Sequence, residues 1–322
     1  MLEFPESEVL FFNDVAIEVF QAGEGGHPIV LAHGWPEHAF SWRYQVPALV
    51  DAGYHVIIPN QRGYGLSSQP SEIEQYDCVR LTGDFNSLLD YLGFDQAIFV
   101  GHDWGAILVW QHVLLNPERV IAVANLSVPF RPREKSDPVM FWEKMLGPDF
   151  YIVHFNRQPE VAARAFESDV RAFLRNMYRT EQWKEKGSET IAPENRSIID
   201  SLNITNPRGK LMMSEPELQV FVDSFERSGF VAPCNWYRNF TRNWEIMSDV
   251  EEKVRVPALM IYGKYDMVPK TSMDGYVEDL EIHTLECGHW IQQERPKETN
   301  RILLDWLERR VTPLLSNKVG NL

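Results

Sequence analysis

Apolar residues along the chain gather into short continuous runs separated by stretches of helical spacing. The runs cover residues 15–20, 28–32, 55–59, 97–100, 120–126, 254–262 and 280–285. Pro28-Ile29-Val30-Leu31-Ala32 and Ala97-Ile98-Phe99-Val100 show no alternation with polar residues, the pattern of strands buried on both faces. Helical periodicity fills residues 77–92, 106–115 and 296–307. Strands alternating with helices predict an α/β fold, a mostly parallel sheet with helices on both faces.

The character changes after Pro129. Residues 130–246 are rich in aromatics at helical spacing and poor in strand runs. The spacing therefore predicts a core of residues 1–129 plus 247–322, with a helical cap at 130–246 inserted into it. The charged stretch at 181–186 reads as a solvated surface of that insertion, and the tail after Thr312 is weakly patterned.

The candidate chemistry lies where predicted strands end. The segment Val100-Gly101-His102-Asp103-Trp104-Gly105-Ala106 joins a buried strand to a helix. Small residues on both sides of one reactive side chain mark a nucleophile elbow. Hydrolases of activated acyl groups usually place Ser there, but this chain places Asp103. A carboxylate is ionised at neutral pH, its pKa being about 4. It can attack an alkyl carbon without a base and form an ester. That points to epoxide opening or halide displacement. The ester must then be hydrolysed, and His289, in Cys287-Gly288-His289-Trp290, is the candidate base for water. Asp266, in Gly263-Lys264-Tyr265-Asp266, can orient the imidazole and stabilise its cation. Hydrolysis passes through an oxyanion that needs two N–H donors. The residue after the nucleophile, Trp104, supplies one; the loop His33-Gly34-Trp35-Pro36 supplies the other from Trp35. Pro36 stiffens that loop and admits a cis bond. In open parallel sheets ligands sit beyond the carboxyl ends of the strands, where all these residues fall.

Composition narrows the setting. The 322 residues carry a formal charge of −15, which disfavours nucleic-acid partners. No run is long enough to cross a bilayer, and the N-terminus has no secretory pattern. Three scattered cysteines, Cys78, Cys234 and Cys287, read as reduced thiols, giving a cytoplasmic expectation. No Cys/His cluster has metal-ligand spacing, and the chemistry outlined needs no cofactor. The oligomeric state is open between monomer and homodimer.

Four segments carry a family resemblance: His33-Gly34-Trp35-Pro36-Glu37, Gly63-Tyr64-Gly65-Leu66-Ser67, Gly101-His102-Asp103-Trp104-Gly105 and Asn235-Trp236-Tyr237-Arg238-Asn239. Together they resemble the epoxide hydrolases of the α/β-hydrolase fold, over nearly the whole chain. The elbow is shared with haloalkane and fluoroacetate dehalogenases, the alternative reading; the Asn-Trp-Tyr-Arg-Asn segment is more specific. The resemblance implies two cap tyrosines that hold and protonate the epoxide oxygen. Tyr237 matches one. Tyr151, in Asp149-Phe150-Tyr151-Ile152-Val153-His154-Phe155, matches the other, with His154 as the fallback donor. It further implies water and a small epoxide as the partners. Cap aromatics favour an apolar or aryl substrate, and His33, Pro36, His154 and Trp236 are the expected pocket residues. Some dehalogenases carry the triad acid after the sixth strand, where Ala124-Asn125-Leu126-Ser127 has no carboxylate.

Overall fold

A computed structural model of the protein describes residues 4–12, 14–180, 197–199 and 209–319. The charged stretch at 181–186 lies outside the described residues. Eight strands form one sheet: β1 (Ser7–Phe12), β2 (Val15–Ala22), β3 (His27–Ala32), β4 (Tyr54–Asn60), β5 (Ala97–His102), β6 (Val120–Leu126), β7 (Ala258–Gly263) and β8 (Leu280–Leu285). Their spatial order is β1-β2-β4-β3-β5-β6-β7-β8. From β4 to β8 all neighbours are parallel; β1 and β2 form an antiparallel margin. Strand β1 was not anticipated from the apolar pattern, because it alternates exposed and buried residues at the sheet edge.

The apolar runs are continuous because alternate residues feed two different cores. Val30, Ala32, Phe99, Val123 and Met260 pack on one face of the sheet. Ile29, Leu31, Ile98, Val100, Ala124 and Leu259 pack on the other. The order of strands reverses between β3 and β5, which are direct neighbours. Chain leaving these two strands at their carboxyl ends therefore diverges, and a crevice opens there.

The helices of the first half are α1 (Gln45–Asp51), α2 (Cys78–Leu92) and α3 (Trp104–Leu115). Asp77 caps α2 by accepting from the Arg80 N–H, and Gly93 ends it in the left-handed conformation. Between β6 and β7 the described residues form helices and an isolated bridge, Arg179 to Leu211. The helices are α4 (Pro138–Leu146), α5 (Tyr151–Arg157), α6 (Pro159–Glu167), α7 (Val170–Met177), α8 (Glu215–Ser228), α9 (Val231–Arg238) and α10 (Phe240–Ile246). After β8 come α11 (Ile291–Glu294), α12 (Pro296–Trp306) and α13 (Thr312–Val319).

Two expectations need correction. Strand β7 begins at Ala258, not Val254, because Pro257 cannot donate to a ladder and Val254 makes only a bridge to Val277. The tail after Thr312 is helical; Val311 and Leu315 are buried and hold it against the second core.

The region between β6 and β7 is latched to the rest by a part-buried ion pair. Glu217, in the capping box of α8, also accepts from Arg43 Nε at 2.8 Å. The Arg43 side chain has no exposure, and its Nη1 donates to Gln293 Oε1 at 2.7 Å.

Candidate active site

Asp103 sits between β5 and α3 with φ 51° and ψ −118°, a backbone conformation an L-residue adopts only under constraint. The constraint comes from its flanks. A methyl group at Gly105 would overlap the Ala32 carbonyl, and one at Gly34 would overlap the Asp103 side chain. Only glycine at those places lets α3 and the loop after β3 close on the turn. The strained turn aims the carboxylate out of the sheet.

Three groups receive it. The Trp35 N–H donates to Asp103 Oδ1 at 2.8 Å, and the Trp104 N–H bonds the same carboxylate. The two N–H groups assigned to an oxyanion hole thus already converge. The Trp35–Pro36 peptide bond is cis. His289 Nε2 lies 3.6 Å from Asp103 Oδ2, and His289 Nδ1 lies 3.0 Å from Asp266 Oδ1. Asp266, four-fifths of the way along the chain, follows β7; His289 follows β8. Asp266 Oδ1 also accepts from the Val268 N–H at 3.1 Å, so it caps a turn as well as holding the histidine.

Burial sets the electrostatics. It raises the Asp103 pKa, opposed by His289, His102 and the two backbone donors. Burial pulls His289 down, but the Asp266 and Asp103 carboxylates outweigh it and raise the imidazole to about 9. Asp266 is held below its ordinary value: burial works against that, and the charge and hydrogen bond of His289 overcome it.

An open cavity lies over these groups, with about 460 Å³ of empty space including the part open to solvent. Asp103, His289, Trp35, Tyr151 and Tyr237 all border it. Tyr151 starts α5 and Tyr237 lies near the end of α9; their rings are 6.0 Å apart. Burial and the Asp103 charge both push the two phenols upward, so both stay protonated at neutral pH. Met177, Met267, Val268, Ile198 and Trp290 supply the apolar wall.

The four expected pocket residues do not border this cavity. His33 is buried behind the loop, where its Nε2 accepts from the Gln61 N–H at 3.1 Å. Its pKa is lowered to about 4 by burial. Pro36 points its carbonyl at the Tyr178 hydroxyl. Trp236 is fully buried and donates to the Arg62 carbonyl at 3.0 Å. His154 lies one turn beyond Tyr151 on α5, half-buried, away from the wall.

The structure adds groups to which the sequence reading gave no role. Glu37 is fully buried and accepts from Gly34 N–H at 2.6 Å, His102 Nδ1 at 2.7 Å and Gln292 Nε2 at 3.0 Å. His102 Nε2 in turn donates to the His289 carbonyl at 2.8 Å. This network ties the Trp35 loop to the His289 loop from beneath. A carboxylate five residues after a buried strand, flanked by Pro, is its signal in the sequence. Ser127 Oγ, directly after β6, lies 3.1 Å from His289 Nδ1.

A strained turn bearing a reactive carboxylate, two converging N–H groups and a carboxylate-bound histidine, all at strand ends, define a hydrolase of the α/β-hydrolase fold. The family model for the alpha/beta hydrolase fold matches residues 27–296. Within that fold the chain belongs to the epoxide hydrolases. Epoxide hydrolase A of Mycobacterium tuberculosis is 42% identical across 94% of this chain and 97% of its own length. The bifunctional epoxide hydrolase 2 of Sus scrofa is 38% identical across 97% of this chain, which spans 57% of that protein. The crystal structure of epoxide hydrolase A from Mycobacterium thermoresistibile superposes with a TM-score of 0.85 at 40% identity, covering 95% of this chain and 98% of that one.

Proposed function

We propose that the protein hydrolyses an epoxide to a vicinal diol through an ester on Asp103. The observation that carries this reading is the shared cavity: the carboxylate, the histidine and two phenols all face one space. An Asp103 oxygen attacks an epoxide carbon, the C–O bond breaks, and the oxygen takes a proton from Tyr237 or Tyr151. General acid help of this kind contributes about 10²–10⁴-fold. Esterification removes the negative charge beside His289. The imidazolium then gives its proton, through solvent, to the tyrosinate and becomes a base. It takes a proton from water, and the hydroxide adds to the ester carbon. The oxyanion is held by the Trp35 and Trp104 N–H groups. Collapse releases the diol, whose oxygen takes the remaining proton, and Asp103 returns as a carboxylate.

The placement of His154 off the cavity wall supports Tyr151 as the second donor. A halide leaves without a proton, so a dehalogenase would have no use for the tyrosine pair. The apolar wall supports an apolar or aryl epoxide. The run of helices between β6 and β7 supports reading 130–246 as a cap over the core. All the groups come from one chain, so the reading needs no second subunit. Among the described residues no helix is long and apolar enough to cross a membrane, and the three buried free thiols fit a reducing compartment such as the cytoplasm.

Incubation with styrene oxide and with 1-bromobutane tests the reading. Diol without bromide is expected. Bromide without diol would overturn it in favour of a dehalogenase.

A further inference from the structure

Among the described non-glycine residues, three have positive φ: Asp14, Asp103 and Ser127. Asp103 is explained by its elbow. Ser127, with φ 71°, stands at the carboxyl end of β6, between the strands that deliver Asp103 and Asp266. Its N–H donates to the Ile261 carbonyl of β7 at 3.0 Å, and the next N–H, of Val128, bonds back to Leu126 at 2.9 Å. This turn swings the Ser127 side chain under the histidine. Ser127 is buried, and its Oγ lies 3.1 Å from His289 Nδ1, beside the 3.0 Å contact from Asp266 Oδ1.

Donor counting fixes what the hydroxyl does. A histidine that acts through Nε2 carries its proton on Nδ1. That N–H then faces two acceptors, Asp266 Oδ1 and Ser127 Oγ. The serine's own O–H is left free to point elsewhere. Asp266 Oδ2 is buried, with no hydrogen bond formed to it among the described residues. The Ser127 hydroxyl also faces Asp266 closely enough to help keep that carboxyl ionised. A hydroxyl that accepts from the histidine and donates to the acid closes a three-membered ring of contacts. It fixes the rotation of both side chains at once.

We propose that Ser127 is a positioning residue for the hydrolytic step, holding His289 and Asp266 in register through its hydroxyl. This deepens the epoxide-hydrolase reading and rests on it. The role belongs to ester hydrolysis, in which the imidazole is the base, and not to ester formation, in which Asp103 attacks with help from the tyrosines and no base. The titratable groups facing the imidazole are Asp103, Asp266, Glu37 and His102, whose ring centre lies 4.8 Å away, and loss of the hydroxyl leaves all four in place.

The test is single-turnover kinetics on Ser127→Gly with styrene oxide, following the ester by intact mass. Glycine suits a positive φ, so this variant keeps the turn and folds. Ser127→Ala serves as the second variant without the hydroxyl. Both should hydrolyse the ester about fivefold to tenfold more slowly, the scale of one lost hydrogen bond. Ester formation should stay within about twofold, because no group that acts in it has changed. The acid limb of the hydrolysis profile should move to lower pH, because the imidazolium loses an acceptor. Hydrolysis rates and pH profiles that coincide with the parent would overturn the proposal. So would an equal fall in both half-reactions, which would make Ser127 merely structural. A parent enzyme that forms no ester and no diol would instead overturn the function on which the proposal rests.

Discussion

Replacing Asp103 with Asn removes one negative charge while keeping the shape of the side chain, and so imitates the uncharged ester. The carboxylate oxygen lies 3.6 Å from His289 Nε2. At that distance the attraction is about 5 kcal/mol for an effective dielectric constant of ~20, and about 1 kcal/mol for one of ~80. With about 1.4 kcal/mol for each pKa unit, the loss lowers the histidine by about 1 to 3 units. From its value of about 9, His289 should fall to between about 6 and 8. At neutral pH this takes the base from about 1% neutral to between about 10% and 90% neutral. In the proposed mechanism the ester thus activates its own hydrolysis. The assay is a pH titration of the imidazole signals by NMR, with Asp103→Asn compared to the parent and His289→Gln giving the assignment. Stability gives a second readout. A histidine whose pKa is raised on folding stabilises fully below its unfolded value of about 6.5 and loses that stabilisation as pH rises through about 9. The variant should lose less stability over that window. A His289 pKa that does not move when Asp103 is neutralised would refute the reasoning.

Further outcomes follow from the same geometry. His289→Gln should still form the ester but release it about 10²–10⁴-fold more slowly, so one substrate mass accumulates on the enzyme in mass spectrometry. Tyr237→Phe should slow ester formation by up to about 10²-fold and leave hydrolysis of a preformed ester within about twofold. Rapid-quench kinetics separates the two steps. Glu217→Gln should cost about 1–2 kcal/mol in urea denaturation, because Arg43 stays buried without its full counter-charge while the partly exposed Glu217 is screened by solvent. The Glu217 carboxyl is opposed by burial, but the Ser214 and Arg43 hydrogen bonds hold it at about 2. Its stabilising contribution is therefore present above about 4.5 and lost as pH falls toward 2. The parent should lose stability on acidification through that window, and the Gln variant should not show this component.

The sheet was readable because burying a strand on both faces leaves a mark that needs no partner to interpret. Ile29, Val30 and Leu31 are apolar in sequence because they face cores on opposite sides. An edge strand such as β1 leaves no such mark, since one of its faces meets water. The candidate reacting groups were readable for a different reason. Asp103 needs small flanking residues to survive a positive φ, and the sequence carries that requirement openly. His289 and Asp266 each follow a strand, and strand ends in a parallel sheet meet at one rim. What was not readable is orientation. His33 and Trp236 lie in the right segments, but their polar atoms are taken up by Gln61 and Arg62. A motif records that a segment approaches the site; it does not record which side chain turns toward it. The same limit hid Ser127. The end of β6, Ala124-Asn125-Leu126-Ser127, carries no carboxylate, and in sequence alone nothing marks its hydroxyl. Yet the loops after three consecutive parallel strands, β6, β7 and β8, carry Ser127, Asp266 and His289, and the order of those strands brings the three to one rim. A small hydroxyl at that place has no signature except its position in the strand order. Only the sheet topology brings it to the histidine.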